Sequence, residues 1–336
     1  MFELLKNWKE IIDTTNLSPG RKMDFVSKWL LATRASVFSM TITSVLIGTL
    51  LAFIQGVTDV KRAVLNAVLT AFALVLAHAS NNLINDYFDY KQGVDTPDYP
   101  RTQYSPHPLA SGLMSEKKLL MVFFFFGIIE LSIAAYFYKT VGIWAMVFAI
   151  AGFLLSVFYV APPFKLKYNG LGELAIFIIW GPLITVGTYY VINGNMPAKI
   201  WFASIPYGLV VMNVLLGKHI DKYEKDKEKG VKTLPVVLGL KNAIIFTKIN
   251  TGLFFISIII CVFFKVLQPL TLLVFLAWGR FMTFINIMSK PKPETPPENF
   301  PVWPLWYVVW AFWFNKRAGE LFVLGLILSL IPWFKF

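Results

Sequence analysis

Residues 62–89, RAVLNAVLTAFALVLAHASNNLINDYFD, join a long apolar run to a cluster of amides and carboxylates. The apolar part can cross the roughly 30 Å hydrocarbon core of a membrane as a helix, which takes about 20 residues. In the cluster, Asn85, Asp86 and Asp89 follow Asn82 at intervals of three, four and seven positions, so on a helix they share one face. Their oxygens can therefore converge on one ion.

A second charged cluster, KHIDKYEKDKEKGVKTLP from Lys218 to Pro235, follows another apolar run. Taken alone, its alternating charges are as typical of a solvated helix turn as of a site. Carboxylates at membrane depth cost about 2.5–3.5 kcal/mol each on insertion scales. Mg²⁺ prefers oxygen ligands and usually bridges one or two carboxylates to substrate phosphates. The two clusters together therefore indicate a magnesium–diphosphate site at a membrane surface.

The composition indicates an all-α polytopic membrane protein. Of 336 residues, 57% are hydrophobic and 15% are charged, and the apolar residues form many long runs. The net charge is +12, but the basic residues lie in short loops and no nucleic-acid motif accompanies them, so we expect no nucleic-acid partner. The single cysteine, Cys261, excludes a disulfide framework.

Nine transmembrane helices are predicted in one membrane domain, residues 24–336. The apolar runs that define them lie at 29–54, 62–85, 118–138, 141–161, 171–192, 199–219, 241–264, 268–288 and 318–335. Residues 1–23 combine apolar and charged positions at helical spacing, which predicts an interfacial arm in contact with the lipid bilayer. Residues 289–314, rich in proline and tryptophan, are predicted to form an interfacial connection.

The distribution of lysine and arginine predicts the orientation. With the N-terminus inside, most of the 31 basic residues fall on the cytosolic side. The opposite side carries only Lys61, Arg62, Lys139, Lys199, Lys265 and Lys335. This bias favours a cytosolic N-terminus and an external C-terminus in the inner (cytoplasmic) membrane, with both acid clusters facing the cytosol.

Several segments together resemble the UbiA superfamily of intramembrane prenyltransferases. The first cluster, continued to Asp95, resembles the first aspartate-rich motif of that family, and 226–235 resembles the second. Arg34, the PLASG segment at 108–112 and YVAPPFKLKYNGLGE at 159–173 match in the order of the family. The ending of the last segment is similar to the 1,4-dihydroxy-2-naphthoate polyprenyltransferase branch. The resemblance implies a nine-helix bundle around a central cavity.

The resemblance also implies roles for individual residues. Mg²⁺ would bind between the two motifs, and a polyprenyl diphosphate would occupy the cavity. The implied metal ligands are Asn85, Asp86, Asp89, Asp221 and Asp226. Asp221 is a choice over Glu224, because the position four residues before Asp226 holds Lys222 where the family has an acid. The implied catalytic residues are Asp89, Asp226 and Glu173, of which Glu173 would orient or deprotonate the acceptor.

Basic residues near the acids are expected to bind the phosphates. The candidates are Arg101, Lys165, Lys167 and Lys232, although each lysine fits a topology role equally well. The resemblance puts Arg34 beside an aromatic acceptor; snorkelling to the headgroups is its alternative. His107 stands where relatives often have arginine, and Glu130 lies in mid-span as either a helix contact or a site residue.

The expected function is Mg²⁺-dependent transfer of a polyprenyl group to an aromatic acceptor, with 1,4-dihydroxy-2-naphthoate in menaquinone synthesis as the first choice. Other acceptors remain open: 4-hydroxybenzoate, homogentisate, a chlorophyll precursor or a glycerol lipid. A terpene cyclase would use the same metal site without an acceptor. An ion-coupled transporter is the non-enzyme alternative, but it predicts acids near the bilayer midplane rather than at helix ends.

Overall fold

The structure is a computed structural model that describes residues 2–298, 300 and 302–331. It is helical throughout, with no β-strand among those residues. The α-helices are α1 (Phe2–Thr14), α2 (Phe25–Ala32), α3 (Phe38–Gln55), α4 (Val60–Lys91), α5 (Pro100–Gln103), α6 (Glu116–Thr140), α7 (Ile143–Phe158), α8 (Gly172–Ile178), α9 (Ile184–Asn193), α10 (Ala198–Asp221), α11 (Tyr223–Glu228), α12 (Leu234–Leu238), α13 (Leu240–Phe263), α14 (Trp278–Met288) and α15 (Tyr307–Leu328).

Seven helical segments in the described part of the chain are long and apolar enough to cross a membrane. They are Ala35–Gln55, Val60–Lys91, Glu116–Thr140, Gly172–Asn193, Ala198–Asp221, Leu240–Phe263 and Pro269–Met288. Large apolar side chains such as Phe124 and Ile128 on α6 are exposed, as expected of a surface that faces lipid. The chain is therefore a multi-pass integral membrane protein.

The first predicted span begins later than the sequence indicated. We predicted a helix over 29–54, but α2 ends at Ala32 and α3 begins only at Phe38. Arg34 lies between them with a positive φ of 54°, in the left-handed region, and a 3₁₀ turn follows it. The apolar run continues through this break, so hydropathy alone could not reveal it.

The last helix was predicted at the wrong place. We expected an interfacial connection over 289–314 and a span over 318–335, whereas α15 runs from Tyr307 to Leu328. Residues 332–335 of that predicted span, and the C-terminus, lie outside the described residues. The charged side chains at 316, 317 and 320 interrupt the apolar run in the sequence, but they project from the outer side of one continuous helix. Its buried residues recur every three or four positions, at Tyr307, Ala311, Phe314, Ala318, Leu321 and Gly325.

Small residues bring the helices close together. A Cβ on Gly217 of α10 would lie 3.0 Å from the backbone of Val308 in α15. Similarly, a Cβ on Gly48 of α3 would lie 2.5 Å from the carbonyl oxygen of Thr185 in α9. Close backbone approach through glycine is typical of packing inside membranes. It holds α3, α9, α10 and α15 as neighbours in one bundle.

The C-terminal half of α4 buries polar side chains in this bundle. Its buried residues are His78, Ala79, Ser80, Asn81, Asn82, Leu83, Ile84, Asn85, Asp86 and Asp89. A polar helix face inside a membrane bundle needs partners from neighbouring elements. The partners come from the break between α2 and α3, from α5 and from the loop that follows α7.

Candidate active site

Asp86 is fully buried and pairs with two arginines. Arg101 donates to it from two nitrogens, Nε to Oδ1 at 3.0 Å and Nη2 to Oδ2 at 2.6 Å. Arg34 also donates to Oδ1, from the break between α2 and α3. Fork-like pairing of this kind fixes the orientation of both groups. Arg34, Asp86 and Arg101 therefore form one ion-paired cluster on the α4 side of the site.

Asp89, one helical turn further, accepts from the loop after α7. Lys167 Nζ lies 2.6 Å from Oδ2, and the hydroxyl of Tyr168 lies 2.6 Å from Oδ1. Burial alone would lower the pKa of Lys167, but Asp89, Asp226 and Asp95 outweigh it and raise the pKa above its ordinary value. Burial and the Asp89 charge raise the pKa of Tyr168 as well. Both donors therefore keep their protons.

Asp95 is held by His107. The imidazole Nδ1 accepts from the backbone N–H groups of Leu109 and Ala110, each at 3.1 Å. Its Nε2 therefore carries the proton and donates to Asp95 Oδ2 at 3.0 Å. Burial lowers the pKa of His107 despite the Asp95 charge, which favours the neutral ring. His107 thus orients Asp95, and both of its nitrogens are already used.

The second cluster contributes Asp226, which is fully buried. Its Oδ1 accepts from the Tyr99 hydroxyl and lies 3.4 Å from Lys222 Nζ, and its Oδ2 lies 3.4 Å from the hydroxyl of Thr233. Lys222 also donates to the Tyr99 oxygen at 2.8 Å. Burial, together with the charges of Asp226 and Asp89, raises the pKa of Tyr99 well above its usual value, so its hydroxyl keeps its proton.

These groups surround one polar pocket. The residues that line it are Arg34, Asn85, Asp89, Asp95, Tyr99, Arg101, Tyr159, Lys167, Lys218, His219 and Lys222. Its free volume is only about 20 Å³. A diphosphate group can therefore enter only if side chains turn from their present ion pairs toward it.

Glu173 lies behind this pocket rather than in its wall. It is fully buried in the first turn of α8, and its Oε1 lies 2.6 Å from Nδ1 of His219. Its Oε2 accepts no hydrogen bond from the described residues. His219 reaches the pocket itself, so Glu173 contacts the pocket through that imidazole.

Four other predicted site residues lie elsewhere. Asp221 accepts from the backbone N–H groups of Tyr307 and Val308, at 2.9 Å each, and so caps the N-terminus of α15. Its direction differs from that of Asp226 because α10 ends at Asp221, whereas Asp226 lies on the separate helix α11. Glu224 is exposed.

The remaining two are the predicted phosphate ligands Lys165 and Lys232. Lys165 donates to Gln92 Oε1 at 2.5 Å, and Lys232 is exposed. Neither lines the polar pocket as described. Glu130 accepts from the hydroxyl of Ser80 at 3.0 Å and faces an apolar cavity instead.

Sequence reasoning gave no site role to Tyr99, Lys218, His219 and Lys222. Lys218 and Lys222 had a detectable signal, because they recur with Asp226 every four positions, which is the spacing of one helix face. His219 is not part of that pattern. Tyr99 had no such signal, because its partner Asp226 lies 127 positions away in the sequence.

The α4 side of the pocket can hold a hard divalent cation. Asn85 Oδ1 and Asp95 Oδ1 are buried and accept no hydrogen bond from the described residues. Oxygens of Asp86 and Asp95 lie within 4.8 Å of each other and of a His107 nitrogen. His107 cannot serve as a metal ligand without releasing one of its present hydrogen bonds, so the oxygens of Asn85, Asp86 and Asp95 are the candidate metal ligands. Amide and carboxylate oxygens are ligands that Mg²⁺ prefers.

An apolar cavity of about 460 Å³ lies below the polar pocket, between α3, α4, α6, α7 and the α8–α9 span. Asn81 and Ile84 line this cavity, and Asn85 lines the polar pocket. Because four residues make about one helical turn, successive turns of α4 line the apolar cavity and the polar pocket. The arrangement suits a molecule with an anionic head and a long apolar tail.

Comparison with known proteins gives a family match and two kinds of relative. The sequence profile of the UbiA prenyltransferase family matches residues 41–315. UbiA prenyltransferase domain-containing protein 1 of Dictyostelium discoideum is 29% identical over 220 residues, which are 63% of this chain and 64% of that protein. The chain thus spans less than two thirds of that relative. The 1,4-dihydroxy-2-naphthoate octaprenyltransferase of Bacillus subtilis is 24% identical over 268 residues, 80% of each chain.

Solved structures share the fold. The apo structure of a UbiA homologue from Aeropyrum pernix K1 is 17% identical, with a TM-score of 0.64, and the match covers 88% of this chain and 99% of that one. A UbiA homologue from Archaeoglobus fulgidus bound to GPP and Mg²⁺ is also 17% identical, with a TM-score of 0.58 and the same coverage. At these identities the likeness concerns the helical architecture.

Proposed function

This chain belongs to the UbiA prenyltransferase family, and from that membership we propose that it transfers a polyprenyl group from its diphosphate to an aromatic acceptor, releasing diphosphate. One observation carries the proposal: successive turns of α4 line an apolar cavity of about 460 Å³ and a pocket of acids and bases. The cavity suits the prenyl chain and the pocket suits the diphosphate. The C–O bond that links the two parts would then lie between the two spaces.

The basic residues of the pocket would bind the diphosphate oxygens. Arg34, Arg101 and Lys167 now hold carboxylates, and each can turn its charge to a phosphate that enters between them. Lys167 and Tyr168 would keep their protons there and donate them as hydrogen bonds. Charge that develops on the leaving diphosphate is thereby stabilised by donors already fixed in the bundle.

Asn85, Asp86, Asp89 and Asp95 would hold Mg²⁺, and unpartnered oxygens on two of them support this. When bound, the ion supplies Lewis-acid stabilisation of the diphosphate as a leaving group. His107 keeps Asp95 oriented toward the pocket, as a positioning residue. The family resemblance also names Asp226 as a metal ligand, but Asp226 is held by Tyr99 and Lys222 and does not line the pocket, so we do not count it among these four.

The acceptor that we propose is 1,4-dihydroxy-2-naphthoate, in menaquinone biosynthesis. The name of the Bacillus subtilis relative and the sequence 170–173 support it. Arg34 would contact the acceptor through Nε, which makes no hydrogen bond with the described residues. Other aromatic or lipid acceptors, and a cyclisation that needs no acceptor, are the alternatives that an assay separates.

We propose nine spans, with the N-terminus and the site loops in the cytosol and the C-terminus outside. Two helices would join the seven long apolar ones. Helix α7 has 16 residues and is apolar throughout, and α15 has 22 residues and buries one face in the bundle. An odd number of spans fits the distribution of basic residues. Helix α1 would lie in the headgroup plane.

The test uses purified protein in detergent with a polyprenyl diphosphate, Mg²⁺ and a panel of acceptors, and measures pyrophosphate release and prenylated product. Asp89→Asn is expected to lower turnover by about 100-fold or more, because it weakens the metal oxygens and the Lys167 contact together. Asp98→Asn is the matched control, since that carboxylate is exposed and pairs with Lys225. Release without any acceptor would indicate a cyclase, and no release under any condition would contradict the enzyme.

A further inference from the structure

The α10 side of the polar pocket has a different chemistry from the α4 side. Lys218, Lys222 and Asp226 follow one another at four-residue intervals, and the two lysines line the pocket. Asp226 is thus the one carboxylate of this row. Another nearby acid, Asp221, has both oxygens on the N-terminus of α15. Glu173, a third acid near α10, contacts His219 behind the pocket and does not line it. A metal ion on this side would therefore find Asp226 as the one carboxylate of the row, next to an ammonium.

Lys222 is fixed and buried. Its side chain is 3% exposed, and its Nζ lies 2.8 Å from the Tyr99 oxygen and 3.4 Å from Asp226 Oδ1. Tyr99 in turn donates to Asp226, so the three groups form a closed triangle. A lysine ammonium has three donors, and two of them are directed at these oxygens. The third is available to a ligand in the pocket.

Lys218, one helical turn earlier, makes no ion pair among the described residues. Arg34, Lys222, Lys167 and Arg101 are among the positive charges that act on it. Five cationic residues line the pocket, and with their buried ion-pair partners Asp86 and Asp226 the described carboxylates number four, Asp86, Asp89, Asp95 and Asp226, so one positive charge is left over. An excess of buried positive charge is costly unless an anion balances it. The side of the pocket formed by α10 is therefore built for an anion.

From these contacts we propose that Lys222, assisted by Lys218, binds the diphosphate directly on the α10 side of the pocket, at the position where the family resemblance implies an acid for metal binding. The site then binds diphosphate with one divalent cation, held on the α4 side by Asn85, Asp86, Asp89 and Asp95. The ammonium of Lys222 supplies charge and a hydrogen bond, and Asp226 and Tyr99 orient that ammonium. The inference rests on the proposed function, because it assigns the partners of the diphosphate in that same pocket.

The test counts metal ions with inorganic pyrophosphate as the ligand. Purified protein is titrated with Mn²⁺ in the presence of pyrophosphate, and bound Mn²⁺ is measured by electron paramagnetic resonance. We expect one Mn²⁺ per chain, with the spectrum of an isolated ion. Lys222→Asp restores a carboxylate four residues before Asp226, and we expect a second Mn²⁺ with a spin-coupled spectrum. Lys227→Asp, the same charge change at an exposed position of α11, should still bind one.

A second variant covers the case in which Lys222→Asp does not fold. Lys222→Met removes the charge and keeps the length, and we expect it to weaken pyrophosphate binding by about 10- to 100-fold, because one charge-assisted hydrogen bond is lost. The wild-type Mn²⁺ count is decisive on its own. Two coupled ions in the wild type would overturn this inference and leave the proposed function standing. Failure of pyrophosphate to bind at any Mn²⁺ concentration would instead contradict the proposed function.

Discussion

Glu173 illustrates how a single side chain can act on a pocket that it does not line. It is buried behind His219, with one oxygen on the imidazole. We expect Glu173→Gln to lower kcat by about 10- to 100-fold while the KM for the prenyl diphosphate stays unchanged, because the amide no longer fixes the charge and tautomer of His219. Steady-state kinetics with each substrate varied in turn would measure this. A rise in KM for the prenyl diphosphate, with normal kcat, would contradict a positioning role.

Individual site residues were predictable only where the signal was local. Asn85, Asp86 and Asp89 could be recognised from spacing within a single helix. The structure places Asn85 and Asp89 in the wall of the pocket and pairs Asp86 with Arg34 and Arg101, which also line it. The partners of these acids come from far along the chain, since Tyr168 reaches Asp89 across 79 positions and Tyr99 reaches Asp226 across 127. Sequence spacing carries no information about such contacts. It also could not separate Asp221 from Asp226, because both lie in one charged cluster.

At the level of helices, the junction between α10 and α15 depends on one carboxylate. Asp221 accepts from the first N–H groups of α15, which have no partner within their own helix. We expect Asp221→Ala to reduce the free energy of unfolding by about 1–2 kcal/mol, and Asp221→Asn by less, because the amide can still accept. Thermal unfolding in detergent measures both. Loss of Mn²⁺ binding in Asp221→Ala at a temperature where it stays folded would indicate a metal ligand instead.

The presence of most helices could be predicted, whereas their breaks and ends could not. Hydropathy locates a segment that can enter the membrane, but it is insensitive to a backbone turn such as that at Arg34. It is also misled when charged residues occupy only the outer side of a helix, as in α15. Boundaries there depend on which face packs against α3 and α10, and that is a property of the bundle.

At the scale of the whole molecule, the cavity should set the accepted prenyl length. Gly127 lines it, and a Cβ added there would meet no atom within 4 Å. We expect Gly127→Phe to raise the KM for a long prenyl diphosphate by about 10-fold or more and to spare a short one, because the ring takes cavity space without disturbing packing. Gly252→Phe is the control, since Gly252 has equally open surroundings and lies on α13, outside the cavity. Equal effects on both chain lengths would argue against this use of the cavity.

The proposed orientation can be measured by cysteine labelling of intact cells. Cys261 is 5% exposed and should give little background. A membrane-impermeant maleimide is expected to label Asn195→Cys, in the exposed turn between α9 and α10, and to leave Ser18→Cys unlabelled until the membrane is permeabilised. The reverse pattern would place the polar pocket on the external side.

The contact between Asp221 and α15 also has a consequence for biosynthesis. The carboxylate and the backbone groups that it accepts from are separated by 86 positions in the chain. At about 5–20 residues per second, translation needs roughly 4–17 s to cover that distance. During this interval α10 is already made and Lys222 can reach Tyr99 and Asp226, but Asp221 at the end of α10 has no partner until the last helix arrives. A nascent chain that stops before α15 carries every acid of the pocket and still lacks the contact that fixes one of its walls.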